Sequence, residues 1–106
     1  MMKMVSIRQN YVVCFMETKH YFYVLACKDD TFYGGYTTNL ERRLAEHNNG
    51  TGAKYTRLRK RRPLQMIHAE CFETRSAATK AESAFKKLTR KQKELYLDTH
   101  LSVDLP

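Results

Sequence analysis

The run from residue 20 to residue 37 constrains the fold most, because it predicts two strands that pair with each other. Residues 20–27 (HYFYVLAC) are aromatic, aliphatic and β-branched, a composition typical of a strand. The polar residues that follow (KDDT) predict a turn, so the run 31–37 (TFYGGYT) should return antiparallel. Paired glycines weaken a strand, and Gly34-Gly35 therefore indicates close approach of backbone or ligand. The fold should begin with a β-hairpin.

Three helices, indicated by capping signals, and one more strand are predicted after the hairpin. The T-x-x-E sequence at 38–41 predicts a capping box and a helix that runs to about His47. A basic loop at 50–63 precedes a third predicted strand at 64–72. Thr74 should cap a second helix, and the T-x-x-Q sequence at 89–92 a third. The predicted fold is α/β (α+β), in the order β-β-α-β-α-α, with helices layered on one sheet.

Length and charge indicate one domain with an acidic partner. The chain has 106 residues, which suits a single domain. We expect a poorly ordered N-terminal extension at 1–19, the domain at 20–98 and a C-terminal tail at 99–106. The net charge of +8 favours nucleic acid as the partner, with an anionic membrane as the main competitor.

Cysteine usage and the N-terminal sequence predict a cytoplasmic protein. Cys14, Cys27 and Cys71 are widely spaced and form no CxxC pair, so we expect reduced thiols, no disulfide framework and no zinc site. The apolar run at 11–16 is too short for a signal peptide or a membrane span. We also expect that the natural chain begins at Met16.

Three residues on the predicted helices suggest chemistry, although each has an ordinary structural explanation. Arg43 and His47 share one side of the first helix with apolar residues, at the edge of its core face. They could equally be a solvated rim. Glu82 lies on the apolar stripe of the second helix, where a carboxylate is costly unless it is paired or binds a metal. Lys86, at i+4, is the available salt-bridge partner.

Aromatic and basic residues suggest a surface for nucleic acid. Five cations occupy the six positions 57–62, and a second cluster spans residues 86–93. Each phosphate that such cations neutralise contributes to binding through counterion release. Tyr55, beside the first cluster, could stack on a base. The alternatives are a solvated basic loop and tyrosines that only pack in the core.

The hairpin resembles the signature of a known family. The sequences at 23–25 (YVL) and 33–35 (YGG) are similar to the two halves of the GIY-YIG nuclease motif. The resemblance continues through 39–43 (NLERR), His47, 52–56 (GAKYT), Glu82 and 86–88 (KKL), and covers about residues 20–93. Phe22 replaces the glycine that precedes the first tyrosine, so we expect altered packing there. The chain is most similar to small stand-alone bacterial proteins and to the nuclease domain of structure-specific junction endonucleases.

The resemblance implies a three-stranded antiparallel sheet flanked by helices and a metal-dependent endonuclease that cuts nucleic acid, above all DNA, in repair or recombination. It implies one divalent ion, Mg²⁺ or Mn²⁺, with Glu82 as its protein ligand. The implied catalytic residues are Tyr23, Tyr33, Arg43, His47 and Tyr55. Tyr23 is favoured to contact the nucleophile, with His47 as the other candidate base. The expected nucleic-acid contacts are Lys54, Arg57, Arg59, Lys60, Arg61, Arg62, Lys86 and Lys87.

Two other functions stay open on the sequence. A module with the same fold could bind nucleic acid with little or no cleavage. A membrane-surface module is disfavoured, since the chain has no long amphipathic basic helix, and we expect no membrane contact. A protein partner is left open.

Overall fold

The computed structural model describes residues 11, 12, 14, 17 and 19–106. Along the chain its elements are β1 (Tyr11–Val12), β2 (His20–Ala26), β3 (Phe32–Thr37), α1 (Leu40–Asn48), β4 (Gln65–Phe72), α2 (Arg75–Lys86), α3 (Arg90–Thr99) and β5 (Ser102–Val103). Two short 3₁₀ turns, Tyr55–Arg57 and Arg59–Arg61, lie in the loop between α1 and β4.

The central sheet has three antiparallel strands in the order β3-β2-β4. Asp30, at φ 67°, takes the left-handed conformation in the turn between β2 and β3, and Cys27 N–H donates to the Thr31 carbonyl at 2.8 Å. Asp tolerates this conformation better than most residues. The predicted hairpin, the antiparallel sheet and the β-β-α-β-α-α order of the main elements are confirmed.

The helix caps agree with the sequence at two of three places. Thr74 caps α2, and Thr89 with Gln92 forms a complete capping box on α3. The capping box predicted at 38–41 is wrong, because Asn39 caps α1 by accepting from the Arg42 N–H at 3.0 Å. The Thr37 hydroxyl holds the Asn39 N–H at 3.1 Å and so fixes the extended backbone that a cap requires.

Alternate side chains of β2 enter two separate cores. Tyr23 and Leu25 pack on one side of the sheet with Leu40 of α1 and Met66 of β4. Phe22 and Val24 pack on the other side against Phe85 of α2. Because a strand alternates faces at every residue, β2 can be buried on both sides. The central strand therefore connects α1 on one face with α2 on the other.

The first and the last strand of the described chain lie side by side. Strand β1 pairs in parallel with β5, and Cys14 forms a disulfide with Cys71, with 6.0 Å between their Cα atoms. The expectation of three reduced thiols is therefore wrong for this pair, whereas Cys27 is a buried free thiol. Cys14 and Cys71 are 57 residues apart, so no local sequence pattern indicated that they pair. Most of the predicted poorly ordered extension, including the proposed start at Met16, lies outside the described residues.

None of the helices in the described part of the chain combines the length and the apolar character that a membrane span requires.

Candidate active site

Tyr23 lies at the centre of the site and owes its position to a glycine on the neighbouring strand. It pairs in register with Gly35, and its side chain is fully buried. A Cβ at position 35 would overlap the Tyr23 hydroxyl and lie 2.5 Å from Cζ. The ring therefore crosses β3 directly over a residue without a side chain, as the paired glycines suggested.

His47 continues from Tyr23 into a hydrogen-bonded chain. Its Nε2 lies 2.7 Å from Tyr23 Oη, and its Nδ1 lies 2.6 Å from Thr56 Oγ1. Thr56 also donates to the Ala53 carbonyl at 3.2 Å. Because a hydroxyl has one proton, Thr56 then accepts from a protonated Nδ1. That assignment leaves Nε2 to accept a hydrogen bond from the Tyr23 hydroxyl.

The buried pair is neutral near pH 7. Burial, followed by the positive charge of Arg43, lowers the pKa of His47 from 6.5 to about 4. Burial also raises the pKa of Tyr23 well above its ordinary value of 10.0, although a hydrogen bond from Arg43 opposes this. Tyr23 thus keeps its proton, and the hydrogen bond from its hydroxyl points at the Nε2 lone pair of neutral His47.

Arg43 supplies the positive charge beside the phenol. Its Nε donates to Tyr23 Oη at 3.3 Å, and its Nη1 donates to Glu46 at 3.0 Å. The side chain retains 27% exposure, so the guanidinium faces both the buried phenol and solvent. The predicted placement of Arg43 and His47 one turn apart beside the sheet is confirmed by these contacts with Tyr23.

Two further tyrosines line the site. The ring centroids of Tyr33 and His47 are 5.3 Å apart, and those of Tyr33 and Tyr55 are 5.7 Å apart in a stacked arrangement. The guanidinium of Arg61 lies 3.7 Å from the centroid of Tyr55. The five expected catalytic residues therefore form one contiguous group, in which Tyr33 and Tyr55 make the aromatic wall.

Glu82 approaches this group from α2. Its carboxylate is among the charges that raise the pKa of Tyr23, which places it within electrostatic range of the phenol. It also pairs with Lys86 at 2.8 Å, and the Lys86 ammonium lies 5.5 Å from the centroid of Tyr33. Lys86 is 48% exposed, and exposed pairs of this kind contribute only about 0–1 kcal/mol. A stronger ligand could therefore replace the ammonium at Glu82.

The donor set fits a hydrated divalent ion. Within the residues that the structure describes, no three His, Cys, Asp or Glu side chains form a metal cluster. Mg²⁺ keeps several water ligands and is commonly bound through one or two carboxylates and a substrate phosphate. The Glu82 side chain is 20% exposed, which leaves room for water and phosphate oxygens to complete the coordination. Both nitrogens of His47 are already hydrogen-bonded, so Glu82 is the ligand that this group offers.

The cations expected to contact nucleic acid divide into two sets. Arg61 pairs with Asp29 at 3.1 Å and donates to the Tyr55 carbonyl, and Arg62 donates to the Asn48 carbonyl at 3.4 Å. These two arginines therefore hold the loop in place. The exposed members of the predicted set are Lys54, Arg57, Arg59, Lys60, Lys86 and Lys87.

The sequence prediction missed three residues that shape the site. Thr56 orients His47, and Glu46 orients Arg43. Gly52 leaves room for the imidazole, since a Cβ there would lie 2.6 Å from His47 Nδ1 and 2.9 Å from its Cα. Gly52 and Thr56 belong to the motif at 52–56, and Glu46 lies at i+3 from Arg43, so the signals were present.

Comparison with known proteins identifies the family of the chain. Residues 19–95 match the GIY-YIG catalytic domain. A UPF0213 protein of Enterococcus faecalis is 77% identical over 86 residues, which cover 79% of this chain and 98% of the relative. A UPF0213 protein of Lactiplantibacillus plantarum is 61% identical over 82 residues, which cover 77% of this chain and 81% of the relative.

Solved structures of similar proteins share the fold. The solution NMR structure of an E. faecalis protein has 75% sequence identity and a TM-score of 0.55, covering 79% of this chain and 88% of that one. The solution NMR structure of a UPF0213 protein from Bacillus halodurans has 39% identity and a TM-score of 0.50, covering 76% and 83%. The chain therefore belongs to the GIY-YIG family, among the small bacterial UPF0213 proteins.

Proposed function

We propose that this protein is a metal-dependent endonuclease that hydrolyses phosphodiester bonds of DNA, in DNA repair or recombination. The observation that carries the proposal is the hydrogen-bonded chain from Arg43 through Tyr23 to His47. The Glu82 carboxylate lies within electrostatic range of the Tyr23 phenol. A structural tyrosine could pack without such a chain. A proton acceptor beside a cation is what attack on a phosphodiester requires.

Tyr23 and His47 would move the proton of the attacking water. Because Tyr23 is fully buried, the attacking water would have to enter beside the partly exposed Arg43 guanidinium. As the water oxygen bonds to phosphorus, its proton would pass to Tyr23 Oη, and the phenol proton would pass to His47 Nε2. Thr56 holds the opposite side of the imidazole throughout. The bond from phosphorus to the leaving oxygen breaks, and that oxygen takes a proton from solvent. The buried phenol therefore never has to exist as a free phenolate.

Arg43 and Glu82 would handle the charge of the phosphate. The Arg43 guanidinium faces solvent beside Tyr23 and can neutralise the phosphoryl oxygens as charge develops on them. Mg²⁺ or Mn²⁺ at Glu82 would polarise the phosphate and stabilise the leaving oxygen. Lys86 would then leave Glu82 for a substrate phosphate, since its exposed side chain can move.

A second candidate function is a module that binds nucleic acid without cutting it. Two observations favour it. The Lys86 ammonium already occupies Glu82, and a His47 pKa of about 4 makes the imidazole a weak base. Either feature could reduce cleavage while leaving the basic surface able to bind.

Cleavage assays on labelled single-stranded, duplex and branched DNA separate the two functions. With Mg²⁺ or Mn²⁺ we expect cutting that EDTA abolishes. Glu82→Gln keeps the shape of the side chain but removes its charge, so it should lower the rate about 10²–10³-fold. Lys80→Ala changes an exposed residue of the same helix and should cut normally. Binding without cutting on every substrate would leave only the binding module.

A further inference from the structure

A basic pocket lies beside the candidate active site, between β3, α1 and α2. A pocket of about 300 Å³ opens there, lined by Thr38, Arg42, Arg43, Glu46 and Arg75 among others. Arg42 and Arg43 come from α1, whereas Arg75 is the first residue of α2. Three arginines from two helices therefore converge on one concave surface, to which the family resemblance assigns no role beyond that of Arg43.

The charge of the pocket is only partly balanced. Glu46 accepts from Arg43 at 3.0 Å and lies 3.7 Å from Arg42, so one carboxylate is shared between two cations. Arg75 makes no ion pair with any residue that the structure describes, and its guanidinium lies 5.1 Å from the ring centroid of Tyr36. Three positive charges against one negative charge leave a surplus that attracts an anion. Arginine favours phosphate, because its planar fork can donate two hydrogen bonds.

The pocket adjoins the candidate active site at Arg43. Arg43 lines the pocket and also donates to Tyr23 Oη, so the two sites share a residue. Arg75 and Glu82 are seven residues apart, which places them on the same side of α2 and roughly 10 Å apart along its axis. One extended strand of nucleic acid could therefore contact both positions.

We propose that this pocket binds a backbone phosphate of the strand that is cleaved, beside the phosphodiester held at Glu82. The assignment rests on the proposed function, because it takes the strand at Glu82 as the substrate. Arg42 and Arg75 bind the flanking phosphate, and Arg43 lies between it and the reacting one. The substrate strand then runs along α2, from Glu82 toward Arg75.

NMR titration of the full chain without added metal tests the pocket separately from cleavage. Inorganic phosphate should shift the backbone amides of Thr38, Arg42 and Arg75 in a saturable way. A DNA trinucleotide should shift the same amides and displace the phosphate, whereas its uncharged methylphosphonate analogue should not. Shifts confined to the surroundings of Glu82 and Lys86, or spread evenly over the basic surface, would overturn the assignment. Shifts caused by inorganic phosphate but not by the trinucleotide would also overturn it.

Variants provide the quantitative test. The double variant Arg42→Ala with Arg75→Ala should lose these shifts, bind DNA about tenfold more weakly and show a salt slope smaller by about 1. Lys80→Ala removes one exposed charge from α2 outside the pocket and is the matched control. Equal losses in the control and the double variant would reject the pocket. A wild-type protein that cuts no substrate, yet shows both sets of shifts, would reject the nuclease and retain the phosphate site.

Discussion

The phenol of Tyr23 occupies space that only a glycine at position 35 leaves open. Gly35→Ala should displace the ring, because the new Cβ would overlap the hydroxyl. We expect a loss of stability of about 1–3 kcal/mol, typical of overpacking, together with loss of any cleavage. Thermal unfolding and the cleavage assay measure the two effects. A glycine that served only the flexibility of the strand would instead tolerate alanine or gain from it.

Gly34 provides the matched control for this substitution. A Cβ at Gly34 would contact the Phe85 ring at 3.3 Å and Phe22 at 3.5 Å, which side-chain adjustment can relieve. Gly34→Ala should therefore destabilise the protein less than Gly35→Ala and should leave the hydrogen bond between Tyr23 and His47 intact. Equal effects of the two alanines would contradict the special role of position 35.

His47 should make stability depend on pH above the range in which carboxylates titrate. Its pKa is 6.5 in the unfolded chain and about 4 in the folded protein. Between these pH values the unfolded state binds more protons than the folded state. The contribution of neutral His47 to the free energy of unfolding is therefore complete above pH 6.5 and is lost as the pH falls toward 4. The loss amounts to roughly 3 kcal/mol. The thermal unfolding midpoint of the wild type, followed from pH 7 to pH 4.5, should decline more steeply than that of His47→Gln. Parallel curves would contradict the lowered pKa.

At the scale of single residues, the sequence predicted where Arg43 and His47 lie better than it predicted which residues they contact. Arg43 and His47 could be placed because helical spacing puts them on one face. Thr56 lies in a loop, where no periodic pattern places a side chain, so only the motif at 52–56 could have indicated it. At Glu82 the sequence left a metal ligand and a salt bridge as alternatives. The structure shows the salt bridge to Lys86, and the metal ligand stays a proposal.

At the scale of elements, local signals predicted the strands and helices, but contacts distant in sequence determine what the basic loop does. Counting charges at 57–62 gives five similar cations. Only the folded chain shows that Arg61 contacts Asp29, 32 residues away, and that Arg62 contacts Asn48. The wrong cap predicted for α1 has a local cause, because the adjacent residues Thr38 and Asn39 could each serve as the N-cap.

The two kinds of loop cation should respond differently to alanine. Arg59→Ala with Lys60→Ala should weaken DNA binding and leave the unfolding midpoint unchanged, because both side chains are exposed. Arg61→Ala should lower the midpoint by at least about 5 °C, since it removes the Asp29 pair and the contact with Tyr55. Fluorescence anisotropy with labelled DNA and thermal unfolding monitored by circular dichroism distinguish the two. If Arg61→Ala kept its unfolding midpoint but bound DNA poorly, Arg61 would contact DNA and would not hold the loop in place.

At the scale of the whole molecule, the site draws on both faces of the sheet. Arg43 and His47 come from α1 on the face that holds the Tyr23 core, whereas Glu82 comes from α2 on the face that holds Phe85. The basic residues follow the same division: one set lies in the loop before β4, and the other at the junction of α2 and α3. Because the candidate active site lies between these regions, a strand held there should contact both.

The salt dependence of DNA binding tests this arrangement of charge. The logarithm of the affinity should fall linearly with that of the salt concentration, and its slope should decrease by about 1 for each phosphate contact removed. Arg59→Ala with Lys60→Ala removes exposed cations of the loop. Lys87→Ala with Lys91→Ala removes exposed cations at the junction of the two helices. If both regions hold one strand, each pair should flatten the slope and all four changes should add, as independent sites do. A quadruple variant with the slope of the loop pair alone would show that DNA follows only the loop.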